Sequence, residues 1–402
     1  MSIIREITKK AEKYLKDPEI MLFIGARQAG KTTILKQLKD ILIGEKKQVY
    51  FLNLEDLDYL DLLNKSPKNL LKIFTLDLNV TNYIFIDEIQ YLKNPSNFLK
   101  YLYDEYSGGI KLIVSGSSAF YLDKKFKDSL AGRKKIFYVR TLSFREFLLF
   151  KNEENLAKSD FALSSLSEKE ALSLYFREYI IYGGYPRVVL SSLVEKEDVL
   201  REIAFSYIKK DIFEANIKQE EVFYRLFKIF ASQIGSLVNS SELATTLGVS
   251  KTTIDNYLYV MQKSFHIILL KPFFRNIRKE ITKMPKVYFL DMGLRNFFMN
   301  NFKSFEERED KGSLLENATL CQLLEKYNED SIRFWRTIQK NEIDFITKEK
   351  NAFEVKVSED KFNEKNYKIF LKSYPDIDLS IITMDKEKEK SGHYKIFDVW
   401  EI

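Results

Sequence analysis

Apolar residues follow two rhythms along the first part of the chain. Ile34, Leu35, Leu38, Ile41 and Leu42 recur at the spacing of one helix face, and Gly44 is placed to stop that helix. Short apolar runs without alternation predict strands, several of them buried on both faces: Met21 to Ile24, Gln48 to Asn53, Tyr83 to Ile86, Lys111 to Val114 and Ile136 to Arg140. Ile4, Ile7, Ala11 and Leu15 share a face in a helix over residues 1 to 20. From about 155 to 235 the pattern is helical with few breakers. Ser240 to Gly248 and a run from Ser250 with Ile254, Leu258 and Met261 inward predict two short helices about a glycine turn. Phe265 to Leu270 and Lys286 to Leu290 could pair behind them as a wing. A helix over Leu314 to Leu324 then precedes strands at Ile332 to Arg336, Glu342 to Ile346 and Ala352 to Val357, the last two joined by the charged turn Lys348 to Asn351.

Length and charge narrow the picture. At 402 residues the chain has room for two to four domains. Its net charge of +6 is modest, but residues 251 to 290 hold eight basic against two acidic side chains, an excess equal to that of the whole chain. Lys251, Thr252, Thr253 and Asn256 fall on the outward face of the second short helix, and the loop from Arg275 to Lys286 is expected to straddle phosphates, which makes DNA the expected macromolecular partner. A winged-helix lid or protein-docking role is the alternative there. The lone Cys321 excludes a disulfide framework, and His266 with His393 are too few for a zinc site or a histidine triad. No apolar run approaches the ~18 residues of a membrane span, so a cytoplasmic protein without a membrane partner is expected.

Candidate chemistry begins where the first strand meets its helix. Gly25-Ala26-Arg27-Gln28-Ala29-Gly30-Lys31-Thr32, followed by Thr33, spells G-x-x-x-x-G-K-T. Glycines let backbone N–H groups curl around a polyphosphate, Lys31 reaches the β and γ phosphates of ATP, and Thr32 ligates Mg²⁺. Asp87 at the tip of its strand is expected to hold the same Mg²⁺, with Glu88 polarising the attacking water. If the strand ending in Ser115-Gly116-Ser117 lies between those two, Ser115 or Ser117 could sense the γ-phosphate; a serine-rich turn is the plain alternative. Arg5 is read as a surface arginine or a contact to base or ribose.

The extra strand and the glutamate beside Asp87 resemble the additional-strand, catalytic-glutamate branch of P-loop ATPases that includes the AAA+ and signal-transducing ATPases. GARQAGKTT, YIFIDEIQYL, IVSGSSAF, SLAGR, LSFREFL, YGGYPRVV and YIKKDI, in that order, resemble a group of archaeal and bacterial AAA-like ATPases. The resemblance implies that Pro186, in Gly184-Tyr185-Pro186, touches the nucleotide from a helical lid; a helix stop at Gly183-Gly184 is the alternative. Arg133 is either a finger on a neighbouring subunit's γ-phosphate in a homo-oligomer or the partner of a local carboxylate.

In the last hundred residues strand alternation puts Glu354 and Lys356 on one face, with Asp344 on the adjacent strand. Two carboxylates on paired strands can hold a second Mg²⁺ while a lysine positions water, though a solvated hairpin face gives the same pattern. The set resembles the PD-(D/E)xK nuclease superfamily, with Ile343 where a proline is usual. That resemblance implies Asp344 and Glu354 as metal ligands, Lys356 as catalytic lysine and Glu316 as auxiliary carboxylate.

The expected fold is α/β: a P-loop NTPase core of the additional-strand class over 1–150, a helical lid over 151–235, a winged helix over 236–300 and a restriction-endonuclease-like domain over 301–402. The expected function is Mg²⁺-dependent ATP hydrolysis coupled to movement of the later modules, acting on DNA. The competing readings are an ATP-dependent signalling switch that binds a protein partner through an inactive nuclease-like domain, and a nuclease whose assembly ATP regulates.

Overall fold

A computed structural model describes residues 3–116, 130–273, 283–386, 390–391 and 394–402. The expectations on Ser117, His393 and most of the Arg275 to Lys286 loop lie outside the described residues. Two compact units form: Met1–Thr141 with Tyr207–Asn216 and Tyr259–Phe265, and Leu142–Ser206 with Ile217–Leu258 and His266–Ile402. These units cut across the segment boundaries expected from the sequence.

The first unit is built on five parallel strands, β1 (Ile20–Gly25), β2 (Gln48–Asn53), β3 (Asn82–Asp87), β4 (Ile110–Gly116) and β5 (Lys134–Val139), in the order β2-β3-β4-β1-β5. Strand β4 therefore lies between β1 and β3, as the additional-strand reading expects. Strands β1, β3 and β4 are buried along their whole length, which is why they are apolar without alternation. The helix Lys31–Gly44 buries Ile34, Leu35, Leu38 and Leu42. The N-terminal helix is shorter than expected, Glu6–Glu12, because turns and Pro18 take the chain into β1.

In the second unit one apolar core gathers side chains from Leu142 through Phe176, Tyr288, Leu314 and Phe353 to Trp400. Its main sheet has six strands in the order β12-β13-β11-β10-β9-β8: β8 (Ile332–Arg336), β9 (Glu342–Thr347), β10 (Asn351–Val355), β11 (Asp378–Thr383), β12 (Lys390–Ser391) and β13 (Tyr394–Asp398). Strands β8, β9 and β10 run antiparallel in turn, whereas β11 is parallel to β10 and β13 to β11. The helix Lys311–Lys326 packs on this sheet through the shared core. The two short helices are Ser240–Leu247 and Lys251–Lys263, with Gly248 in the left-handed region at φ 69°. Strands β6 (Ile267–Leu270) and β7 (Lys286–Phe289) pair antiparallel behind them. Among the described residues no helix is long and apolar enough to cross a membrane.

Candidate functional site

Strand β1 delivers Gly25 into a loop that ends at Gly30, whose φ of 96° puts it in the left-handed region just before the helix Lys31–Gly44 begins. The Lys31 ammonium is buried and folded back, donating to the carbonyls of Gly25 at 3.0 Å and Ala26 at 2.8 Å. Burial lowers its pKa to about 8, against the pull of Glu88. Thr32 Oγ1 donates to Asp87 Oδ2 at 2.6 Å, so the loop and the tip of β3 meet as the spacing expected. Ala26, Arg27 and Ala29 are buried, Gln28 is half-buried and Thr33 is exposed. Arg5 is not a surface side chain: it is buried and donates to the Ala29 carbonyl at 2.7 Å and the Arg140 carbonyl at 3.2 Å, pinning the loop from outside.

Beyond β3 the chain turns sharply at Glu88, a non-glycine residue at φ 59°. Ser115 on β4 holds this tip together. Its hydroxyl donates to Asp87 Oδ1 and accepts from the Glu88 backbone N–H at 3.1 Å, and it is fully buried. It therefore orients both acidic residues. Gln90 bonds the Glu88 carboxylate.

The sequence did not disclose the partners of Arg27. Its guanidinium donates to Asp211 Oδ1 at 3.4 Å and to Glu214, both on the helix Lys196–Glu214 and within the first unit. Burial opposes the charge on Arg27, and the carboxylates of Glu214 and Asp211 more than restore it. The only available signal was Asp211 within the YIKKDI string. Arg133 pairs with a local carboxylate, Nε lying 2.7 Å from Asp104 Oδ1. Pro186 opens the helix Pro186–Leu190 in the second unit. The glycines before it answer to packing: a methyl group on Gly183 would lie 2.2 Å from Asp291 Oδ1, and the Gly184 N–H donates to Asp291 Oδ2 at 2.9 Å.

A second cluster lies within the second unit. Phe353 on β10 faces Phe345 on β9, so Glu354 and Asp344 follow one step along the same ladder. Asp344 Oδ2 accepts from the Val355 N–H at 2.9 Å. Glu354 Oε1 accepts from Lys356 and from the Tyr367 hydroxyl at 2.9 Å. Burial, then the neighbouring carboxylates Glu354 and Glu316, push Asp344 well above the usual carboxylate range; burial also raises Glu354. Glu316, from the helix Lys311–Lys326, joins the cluster together with two residues the sequence did not single out, Tyr288 and Glu342. Lys286 departs from its expected place over phosphates. It is 2% exposed, with Nζ 3.0 Å from Glu316 Oε1, in contact with Glu342 and 4.0 Å from Asp344 Oδ1. Its pKa is well raised because Tyr288 and the carboxylates outweigh the burial that opposes its charge. Among the described residues no group of three or more His, Cys, Asp or Glu side chains is arranged to hold a metal ion.

Strand order, glycine loop and acidic strand tip define an AAA-type P-loop ATPase domain, and the sequence model of the AAA domain matches residues 17–148. The chain belongs to the same family as an uncharacterized protein of Methanocaldococcus jannaschii, 30% identical over 410 residues that cover 95% of this chain and 87% of that protein. An uncharacterized protein of Haemophilus influenzae is 26% identical over 340 residues, covering 82% and 79%. Two domains of unknown function also match, DUF8612 at residues 173–306 and DUF4143 at 311–402. AMPPCP-bound DnaA from Aquifex aeolicus (15% identity, 65% of this chain and 89% of that chain, TM-score 0.29) and PCH-2 from C. elegans (15%, 50% and 59%, TM-score 0.32) are similar too weakly in shape for an argument to rest on them.

Proposed function

We propose that this protein is a Mg²⁺-dependent ATPase whose later modules act on DNA. The observation that carries the ATPase reading is the meeting of Thr32 Oγ1 and Asp87 Oδ2 at 2.6 Å beside the glycine loop. These are hard oxygen donors of the kind Mg²⁺ takes, so the residues fit the ion. Bound there, Mg²⁺ would neutralise charge on the β and γ phosphates. Gly25 to Thr33 wrap the phosphates with backbone N–H groups, and Lys31 exchanges the Gly25 and Ala26 carbonyls for phosphate oxygens. Glu88 takes a proton from the attacking water, held in place by Ser115 through its own N–H. Lys31→Ala is expected to abolish turnover and Glu88→Gln to keep ATP bound while slowing hydrolysis by about 10²-fold or more. Glu88→Gln turning over at the wild-type rate would remove the base assignment.

For the remaining modules the reading is a winged helix over 236–300 and a nuclease-like domain over 301–402. The helix–turn–helix followed by the β6/β7 pair supports the first, with Lys251, Thr252 and Asn256 exposed on the second helix. The Asp344, Glu354 and Lys356 cluster supports the second. Plasmid incubated with protein and Mg²⁺ is expected to be cut, and Asp344→Ala to abolish cutting. Cleavage absent under every metal and nucleotide condition, with no salt-dependent DNA retention, would assign the protein to the ATP-driven switch that binds a protein partner.

A further inference from the structure

The acidic cluster of the second unit contains four carboxylates, and following each oxygen to its partner shows how much of it is free. Glu342 is used at both ends: Oε1 contacts Lys286 and Oε2 lies 3.2 Å from Arg336 Nη1. Glu316 Oε1 accepts from Lys286 and from Tyr288. The same carboxylate passes close to Gly235, where an added methyl group would lie 3.1 Å from Oε1 and 3.2 Å from Oε2. Asp344 Oδ2 holds the Val355 N–H, and Glu354 Oε1 holds Lys356 and Tyr367. Among the described residues three oxygens are left over. Glu316 Oε2 accepts no hydrogen bond, Asp344 Oδ1 has the Lys286 ammonium 4.0 Å away, and Glu354 Oε2 is buried, in a residue 5% exposed, without a hydrogen-bond partner.

Resting on the reading of this cluster as a metal centre, we infer that it takes one divalent cation, at Asp344 and Glu354, and that the Lys286 ammonium stands where a second cation would bind. Mg²⁺ is commonly held by only one or two carboxylates with water completing its shell, so the free oxygens of Asp344 and Glu354 suffice. In two-cation centres the ions lie about 4 Å apart between shared carboxylates, and an ammonium among Glu316, Glu342 and Asp344 supplies a positive charge in that place without metal. Glu316 is then the counter-ion of Lys286 and not a metal ligand. Because β7 carries Lys286 and belongs to the pair behind the two short helices, the strand that completes the wing also sets the cation count of the neighbouring site.

The test is Mn²⁺ titrated into the nucleotide-free full-length protein, with free Mn²⁺ read by electron paramagnetic resonance and the binding that survives in Asp344→Asn subtracted. Wild type is expected to hold one Asp344-dependent Mn²⁺. Lys286→Met is expected to hold two, or to hold the one at least about tenfold tighter, since a positive charge has left the carboxylates. Removing one partner of a buried pair is strongly destabilising and removing both is often neutral, so Lys286→Met/Glu316→Gln guards against a single variant that does not fold. The double variant is expected to keep the single Mn²⁺ with a Kd within about threefold of wild type, because the charge removed balances and no ligand is lost. Two Asp344-dependent ions in wild type, or a double variant weakened more than about tenfold, would overturn the inference and leave the metal centre standing. No Asp344-dependent Mn²⁺ in wild type would overturn the metal centre itself, and the inference with it.

Discussion

Gly25 sits so close to β5 that a methyl group on it would lie 1.9 Å from the Val139 carbonyl oxygen. The first glycine of the loop is thus required by strand packing as well as by the approach of phosphate. Buried charges carry a similar double meaning. Asp398, near the end of β13, is raised to about 7, chiefly by burial and against the Lys386 N–H that it accepts at 2.7 Å. Between the ordinary carboxylate pKa and 7 the unfolded chain releases a proton that the folded chain keeps, so this group lowers stability as pH rises through that window. Asp398→Asn retains the acceptor oxygen and cannot ionise. In urea unfolding the variant is expected to match wild type at pH 4 and to exceed it at pH 7.5, with a difference growing at no more than about 1.4 kcal/mol per pH unit. Identical pH profiles for the two proteins would clear Asp398 of the effect.

Helix ends show how far local chemistry reaches. Ser143 caps the helix Phe144–Phe150 by accepting from the Glu146 N–H at 3.2 Å, while the Glu146 carboxylate accepts from the Ser143 N–H at 3.2 Å. Ser143→Ala is expected to cost about 1 kcal/mol and to lower Tm by about 2–4 °C, read by calorimetry. An unchanged Tm would mean that the box is replaced by solvent. Ser240 and Ser241 are residue types suited to cap the first short helix, but the cap is Asn239, whose side chain accepts from the N–H groups of Ser241 at 3.1 Å and Glu242 at 3.3 Å. Both kinds of residue satisfy the same orphan donors, so composition alone does not place the boundary. Strands β11 and β13 left no reading at all in the sequence. Their pairing is parallel and across intervening chain: Phe353 on β10 faces Ser380 on β11, and Ile381 on β11 faces Ile396 on β13.

Across the whole chain, contacts distant in sequence decide what the phosphate loop rests on. Arg27 meets Asp211 and Glu214 more than 180 residues later, inside one compact unit. Asp211→Asn/Glu214→Gln leaves a buried guanidinium without its carboxylates, a change expected to cost about 3–5 kcal/mol in chemical denaturation. Restoring neutrality with Arg27→Met in the same background is expected to recover most of that loss. If the triple variant is no more stable than the double, the two carboxylates act by packing and not by pairing.

The sequence alone determined those features that are written locally. The apolar runs of β1, β3 and β4, the glycine loop with Lys31 and Thr32, and the acidic pair at Asp87 and Glu88 each depend on neighbours a few residues away, so periodicity and spacing disclose them. Asp344, Glu354 and Lys356 were legible for the same reason, since strand alternation sorts side chains to faces. Only the tertiary structure decided the charge compensation: Arg5 on the Ala29 carbonyl, Ser115 on Asp87, Arg27 on Asp211 and Glu214, Lys286 among Glu316, Glu342 and Asp344. A lysine in a basic stretch reads as a surface cation until the fold buries it. Burial makes an unpaired charge too costly to keep, and which carboxylate answers it depends on chain segments that local patterning cannot bring together.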